Sequence, residues 1–553
     1  QGYSSAASDV YKRQDFMVNG AQIMVKCLEK EGVKVVFGYP GAAICPFYDE
    51  LYQSEIHHIL VRQEQNAGHA ASGYARASGK PGVCIATSGP GATNLITGLA
   101  TAYMDSIPII AITGQVRSDL LGRDVFQEVD ITGACEPFTK HSYLVKNTAD
   151  LPRVFKEAFH IAATGRPGPV LIDIPIDIQQ NETSEFHYPE KAEIIGYKPR
   201  SGGHPLQIKR AAAALKESKR PLICSGGGVL SSGTKLKLLA FAEKTGIPVV
   251  STMMGIGVMP SEHPLYLGML GSHGKACANK AIHQADCIIL CGARVGDRAV
   301  ASPDQIAEKA TIIHIDIDPA EIGKNMKAHI PIVGDMNKVF TSLSEQTDYH
   351  VSKEWASLVD DLKHEPRRVP PTFEGYVEPR TFIRSFSATM PSKAILAADV
   401  GQNQIWCANN FEIRDGRFLT TGGLGTMGYS IPAALGAKLA RPNREVVAIC
   451  GDGAFQMSMC ELGTIAQNHI GVKIIIMRNT RLGMVRELQD NLYGHRHAAT
   501  ILDETMDFLK IAEAYGIPHA MASSNEEALK QAEIMMSTPG PYLLVCNVHP
   551  DTP

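Results

Sequence analysis

No apolar run in this 553-residue chain reaches the roughly 20 residues that a membrane-spanning helix needs. Charge of one sign is scarce as well. A net charge of -4, from 53 basic and 57 acidic residues, gives nucleic acid and anionic membranes no electrostatic hold. None of the 12 cysteines forms a Cys-x-x-Cys pair, and most lie in apolar segments. They read as reduced core thiols of a cytoplasmic protein, which excludes a disulfide framework and argues against zinc. Short repeats and low-complexity tracts are missing. Residues 1–16 have neither helical periodicity nor the apolar core of a signal peptide, and they read as a non-native leader ahead of Met17.

What the chain has in quantity is alternation. Apolar runs of about six residues alternate with helical patterns, the mark of parallel α/β architecture. Strands are predicted over residues 33–39, 59–62, 83–87, 107–113 and 170–174, then 221–225, 248–252, 287–291 and 312–317. Polar stretches with Pro and Gly at 185–205 and 345–378 read as linkers. The expected fold is α/β, with three doubly wound parallel-sheet domains over 17–185, 206–341 and 380–553.

The third domain holds the most informative motif. Residues 445–450 predict a buried strand, and Gly451-Asp452-Gly453 follows it directly. A helix is expected over 457–467 and a strand over 472–477, which ends at Arg478-Asn479. Ligands of an open parallel sheet collect at the carboxyl ends of its strands. Asp452 and Asn479 are therefore placed side by side as hard oxygen donors, and the glycines allow a phosphate to approach the backbone. Mg²⁺ takes such donors together with phosphate oxygens. An Asp-Gly after a strand is by itself more often a plain turn. The strand–helix–strand spacing to Asn479 is what makes the pair a candidate metal–diphosphate clamp.

Two other glycine runs invite phosphate readings. Gly226-Gly227-Gly228 follows a strand and precedes a helix expected near Ser232. Gly423-x-Gly-x-x-Gly428 after residues 417–421 matches a dinucleotide fingerprint, which keeps a nicotinamide dehydrogenase as a rival. A lone match is weak, and no strand-end acid follows at the ribose spacing. Glu64 opens a small-residue helix after an apolar run, so its carboxylate is expected to be partly withdrawn from water. Read alone, it is a helix-start acid that favours the macrodipole.

Several segments, taken in order, carry a resemblance. They are Tyr39-Pro40-Gly41-Ala42-Ala43, Arg62-Gln63-Glu64-Gln65, Ser88-Gly89-Pro90-Gly91-Ala92-Thr93-Asn94, Thr113-Gly114-Gln115-Val116, Asp124-Val125-Phe126-Gln127-Glu128, Thr139-Lys140-His141 and Gly423-Leu424-Gly425-Thr426-Met427-Gly428. Over nearly its whole length the chain resembles the catalytic large subunits of acetohydroxyacid synthases (acetolactate synthases), which depend on thiamine diphosphate. The resemblance implies that Glu64 activates the cofactor and that Asp452, Asn479 and the Arg481 carbonyl hold Mg²⁺. It also implies cofactor contacts at Gly41, Pro90, Asn94 and Gln402, at Gly425 and Met427, and at Gly451, Gly453, Ala454 and Met484. Gln115, Phe126 and Lys140 would line the channel above the reactive ring, and Arg298 would grip a 2-ketoacid carboxylate beside His273 and Leu488.

In the middle domain the resemblance implies a structural FAD. Its contacts would be Gly226, Gly227, Gly228, Thr252, Arg294, Asp316, Glu321 and Asp335. The chain departs from the family pattern at Ala42, Gln63, Ser272, Gly296 and Asn403. The largest departure is Leu488, where biosynthetic members usually carry Trp, and it predicts a weaker preference for 2-ketobutyrate over pyruvate. Glu64 and Asp452 fall in different domains, so the family arrangement implies a homodimer or homotetramer, with a small regulatory subunit as a possible partner. The alternatives are another thiamine diphosphate enzyme, such as a glyoxylate carboligase or pyruvate oxidase, and an inactive scaffold for a regulatory subunit.

Overall fold

The computed structural model describes residues 17–184, 186–199, 202–366, 369–502 and 505–553. The expected leader at 1–16 and residue 185, the expected end of the first domain, lie outside them. The chain divides into two compact units: residues up to 197 without 73–80, and residues 198–553 with 73–80.

In the first unit β1 (Val18–Asn19) precedes a helix, Gly20–Lys30, whose Asn19 cap is closed by a reciprocal bond with Gln22. A parallel sheet follows from β2 (Val35–Gly38), β3 (His57–Leu60), β4 (Gly82–Ala86), β5 (Ile109–Gln115), β6 (His141–Leu144) and β7 (Val170–Pro175). Its order is β3-β2-β4-β5-β7-β6. β8 (Glu182–Thr183) pairs antiparallel with β1.

The second unit holds two more parallel sheets. One is built from β9 (Pro221–Ser225), β10 (Val249–Ser251), β11 (Tyr266–Met269), β12 (Cys287–Cys291), β13 (Thr311–Asp316) and β14 (Ile330–Val333), in the order β11-β10-β9-β12-β13-β14. The other is built from β15 (Ile395–Ala398), β16 (Arg417–Leu419), β17 (Val446–Gly451), β18 (Val472–Arg478), β19 (His519–Ala522) and β20 (Tyr542–Asn547), in the order β16-β15-β17-β18-β20-β19. Residues 446–450 and 472–477 are buried without a break, as strands covered on both faces must be.

Counted from each sheet's own first strand, the first and last sheets share one winding and the middle sheet has another. The middle order is the 3-2-1-4-5-6 of dinucleotide-binding folds. In every case the order reverses beside the sheet's first strand, and the carboxyl ends of the two strands there open a crevice for ligands; the first and last sheets turn back once more at β7 and β20. The crevices fall between β2 and β4, β9 and β12, and β15 and β17.

The middle sheet has core clusters of its own and lends two residues to the core of the last sheet. Ile256 and Met269 pack in the same cluster as Phe382, Phe386 and Phe411, and Ser261 exchanges two hydrogen bonds with the backbone of Ile413, at 2.8 and 2.9 Å. The stretch 345–378 is not the linker expected. Ser352 caps a helix, Lys353–His364, which buries Trp355, Val359 and Leu362 in the middle core, and Trp355 Nε1 donates to the Pro221 carbonyl at 2.9 Å. Its charged outer face hid it. The single helix expected over 457–467 is two, Asp452–Ser458 and Glu461–Gln467, so Asp452 begins a helix instead of a turn. The helix expected near Ser232 begins earlier, as Gly227–Ser231. All cysteines are free among the described residues, and no helix there is long and apolar enough to cross a membrane.

Candidate active site

At the reversal point of the last sheet, the register sets Gly451 of β17 opposite Met477 of β18, so the chain leaves both strands at one level. Asp452 is 2% exposed. Its Oδ1 accepts from the Gly453 amide at 3.0 Å and its Oδ2 from the Thr480 amide at 2.7 Å. Burial pushes its carboxyl up to about 6, against the pull of those amides and of Arg478. Thr480 can reach it because its φ is +56°, a left-handed conformation that costs a non-glycine residue roughly 1–3 kcal/mol. The same turn presents Asn479, which is buried. Its Oδ1 accepts from the Arg481 amide at 3.1 Å, and its Nδ2 donates to Gln402 Oε1 at 3.2 Å. Gln402 begins a helix after Gly401, at the end of β15, the other strand of the reversal. Asp452, Asn479 and Gln402 are therefore gathered at one crevice. Thr480 was not singled out in the sequence; a β-branched residue in a left-handed turn carries no sequence signal.

A second unforeseen residue is Asp399, which follows β15 and is fully buried. It accepts from the amides of Val400 at 3.0 Å, Gly428 at 3.0 Å and Ser430 at 2.8 Å, and burial raises its pKa. These bonds pin the loop that carries Gly425 and Met427. Gly425 has φ +73°, and an added Cβ there, or at Gly451, would meet nothing within 4 Å. The half-buried Met427 has its Cε 3.5 Å from where a Cβ on Gly453 would stand. The Gly423–Gly428 fingerprint follows β16, an edge strand, and is tied back to the end of β15 through Asp399. Asn403 ties its helix to the sheet by donating to the Ile449 carbonyl at 2.8 Å. Ala454 is buried, Met484 is half-buried, and Leu488 on the helix Gly483–Leu492 is 45% exposed.

In the first unit Glu64 begins the helix Glu64–Ser78 and is half-buried. Its Oε2 accepts from Asn94 Nδ2 at 2.9 Å, and its Oε1 lies 3.3 Å from where a Cβ on Gly91 would stand, so the glycine leaves it room. Gly41 faces Thr87 across the β2–β4 reversal so closely that any Cβ would collide. The Thr87 hydroxyl is buried without a partner, a polar atom aimed at this crevice that sequence reasoning passed over. Pro90 starts the short helix that carries Asn94. Phe126 is 87% exposed, on a loop with left-handed Asp124 and Gln127.

Gln115 and Lys140 are occupied elsewhere. Gln115 Nε2 donates to Asp173 and to the Val129 carbonyl, at 2.9 and 2.8 Å, and its Oε1 accepts from Val116. The Lys140 ammonium donates to the Ile161 and Thr164 carbonyls, the latter at 2.7 Å, and to Tyr197. It caps the end of the helix Leu151–Ala163. Both side chains are held by these bonds within the first unit.

The middle crevice is lined by glycine for a packing reason. Cβ atoms on Gly226 or Gly228 would strike Gly292, so the glycines let the β9 and β12 ends abut. Asp316 and Glu321 are buried, Glu321 pairing with Lys324 at 3.3 Å. Asp335 caps the helix Met336–Gln346. The Arg294 carbonyl accepts from Asn325 at 2.7 Å, and Thr252 caps a short 3₁₀ turn. Arg298 projects a side chain 79% exposed, 3.8 Å from Asp297. Its carbonyl accepts from Ser272 at 3.0 Å, and the exposed His273 is anchored through its carbonyl by Asn409 at 2.8 Å. Arg298 and His273 thus belong to one pair of bonded loops.

Taken together, a buried strand-end carboxylate, a carboxamide beside it and open glycine backbone gather at one sheet-end crevice of an α/β fold. Comparison with known proteins carries this further. The thiamine pyrophosphate enzyme N-terminal TPP binding domain matches residues 18–134, the central domain 208–343, and the C-terminal TPP binding domain 399–546. A probable acetolactate synthase large subunit of Methanocaldococcus jannaschii is 46% identical over 96% of this chain and 92% of its own length. An acetolactate synthase of Arthrospira platensis is 45% identical over 97% and 95%, and an acetolactate synthase large subunit of Corynebacterium glutamicum 45% over 93% and 84%. The chain belongs to the thiamine pyrophosphate enzyme family, among the acetolactate synthase large subunits.

Proposed function

We propose that this chain is an acetolactate synthase. It removes carbon dioxide from pyruvate and joins the remaining two-carbon unit to a second 2-ketoacid, pyruvate or 2-ketobutyrate, in branched-chain amino-acid biosynthesis in the cytoplasm. The observation that carries this reading is the Asp452–Asn479–Thr480 constellation at the β15–β17 reversal, in a chain about 45% identical to acetolactate synthases.

The residues present fit thiamine diphosphate and Mg²⁺. A buried carboxylate whose charge is disfavoured is a site short of a cation, and Asn479 Oδ1 and the Arg481 carbonyl complete a hard-oxygen set. Open backbone at Gly425 and Gly451 leaves space for a large group. When bound, thiamine diphosphate supplies the electron sink on which a 2-ketoacid loses carbon dioxide. The protein's part is positioning and proton control. Glu64, steadied by Asn94, holds and returns a proton at its carboxyl oxygen beside the cofactor's aminopyrimidine. Met427 props the cofactor from one side, on a loop fixed by Asp399. Arg298 presents a guanidinium whose two parallel donors suit the carboxylate of the second ketoacid. Apolar walls, including Leu488, keep water from diverting the two-carbon unit.

The middle sheet has the winding of dinucleotide-binding folds, which supports FAD across the β9–β12 crevice near Gly226, Thr252 and Arg294. The family resemblance, in which the first domain of one subunit faces the third domain of its partner, supports an active form that is at least a homodimer. The test is product analysis. With thiamine diphosphate, Mg²⁺, FAD and pyruvate, the enzyme should release 2-acetolactate; acetaldehyde or acetyl phosphate alone would overturn the reading.

A further inference from the structure

At the far end of the helix that carries Met484 and Leu488, three side chains converge on one point. Asp490 lies in the last turn of the helix Gly483–Leu492, and His495 and His497 come from the loop that follows. His495 Nδ1 stands 2.8 Å from Asp490 Oδ1, and His497 Nε2 stands 2.5 Å from the same oxygen. One ligand atom from each residue lies within 4.8 Å of the other two. The imidazoles are perpendicular, at 88°, with centroids 6.4 Å apart, so their nitrogens approach from different directions. Asp490 Oδ2 faces the Arg486 guanidinium at 3.8 Å, which leaves Oδ1 to the imidazoles.

The loop is shaped to return these rings to the helix. Gly494, His495 and Ala499 are all left-handed, with φ of 59°, 60° and 55°, and two of them are not glycine. Gln489, one residue before Asp490, donates to the Ala498 carbonyl at 2.9 Å and accepts from the Thr500 hydroxyl at 3.1 Å, pinning the loop's far end. Two imidazoles and one carboxylate, reachable from solvent, are the donor set of a zinc-class ion that keeps an open coordination position. With bonds of about 2.0–2.1 Å, ligand atoms around such an ion stand roughly 3–3.5 Å apart, so binding requires the two His–Asp hydrogen bonds of 2.8 and 2.5 Å to open by under about 1 Å.

We propose that Asp490, His495 and His497 bind a divalent transition-metal ion of the zinc class, which fastens the 493–500 loop to the helix Gly483–Leu492. The proposal does not rest on the cofactor reading, and its two borderline imidazole donors distinguish the site from the hard-oxygen set at Asp452, which suits Mg²⁺.

The test uses holoenzyme saturated with thiamine diphosphate and Mg²⁺, stripped of transition metals and titrated with Zn²⁺ by calorimetry. Free cysteines also take zinc, so a His495→Ala/His497→Ala double variant sets the background. Wild type should take up one further ion per chain, and Asp490→Asn should bind it roughly tenfold or more weakly. Arg496 is exposed between the two imidazoles, so Zn²⁺ should slow tryptic cleavage after Arg496 in wild type. That comparison needs no variant to fold. Equal zinc uptake by wild type and the double variant, or unchanged cleavage at Arg496 with zinc, would overturn the proposal and leave a purely hydrogen-bonded triad.

Discussion

Acid should drive Mg²⁺ out of the crevice at Asp452 well before it unfolds the protein. Raising a carboxyl from its ordinary 3.8 to about 6 corresponds to about 3 kcal/mol against its charged form. Without metal, the folded chain keeps a proton between about pH 4 and 6 that the unfolded chain has released. This group therefore costs stability increasingly as pH rises through that window, and the full cost stands above pH 6. A divalent cation removes the cost, so its benefit is largest above pH 6 and fades below it. One pH unit beneath the folded pKa, a competing proton weakens metal binding about tenfold, or ~1.4 kcal/mol. Calorimetric titration of Mg²⁺ at saturating thiamine diphosphate, at pH 7.5 and pH 5, measures this directly. The cofactor's own phosphates titrate too, and Asp452→Asn, which cannot, isolates the Asp452 share. Equal pH dependence in wild type and variant would refute the reasoning.

Glu64→Gln should leave the thermal midpoint in place and lower kcat by roughly 10²–10⁴-fold; near-normal turnover would remove Glu64 from proton transfer. Lys140→Met should destabilise the fold by about 2–4 kcal/mol, through the carbonyls it abandons at Ile161 and Thr164, with little change in kcat for the folded fraction. Lost turnover at unchanged stability would instead restore a catalytic role. Leu488→Trp should raise the preference for 2-ketobutyrate over pyruvate by about 1–3 kcal/mol in competition assays, and an unchanged product ratio would exclude position 488 from the specificity wall.

The Asp452–Asn479 pair was legible because its spacing is set by chain topology: a buried apolar strand, a helix and a second apolar strand leave their ends side by side. The central strands were legible for the same reason, being covered on both faces and continuously apolar. The edge strand β3 overlaps the run expected at 59–62, but some other edge strands were not legible. His141–Leu144 is a half-wet four-residue run, and Tyr266–Met269 is short and joined through a register shift. Nor were the supports of the site. Asp399 and Thr480 act through backbone amides brought in from distant segments, which no local pattern encodes. The partners of Lys140 and Gln115 were hidden too: polar side chains look alike in sequence whichever groups they meet, and here carbonyls and a buried carboxylate hold them.

The clasp between Ser261 and Ile413 reaches beyond architecture. Since Ile256 and Met269 sit in the oily interior that holds Phe411, heating that dissolves the middle layer should strip packing from the layer beside it. A scanning calorimeter should accordingly record two endotherms for this chain and not three, and a nick between the last two layers should leave them clinging together until both give way.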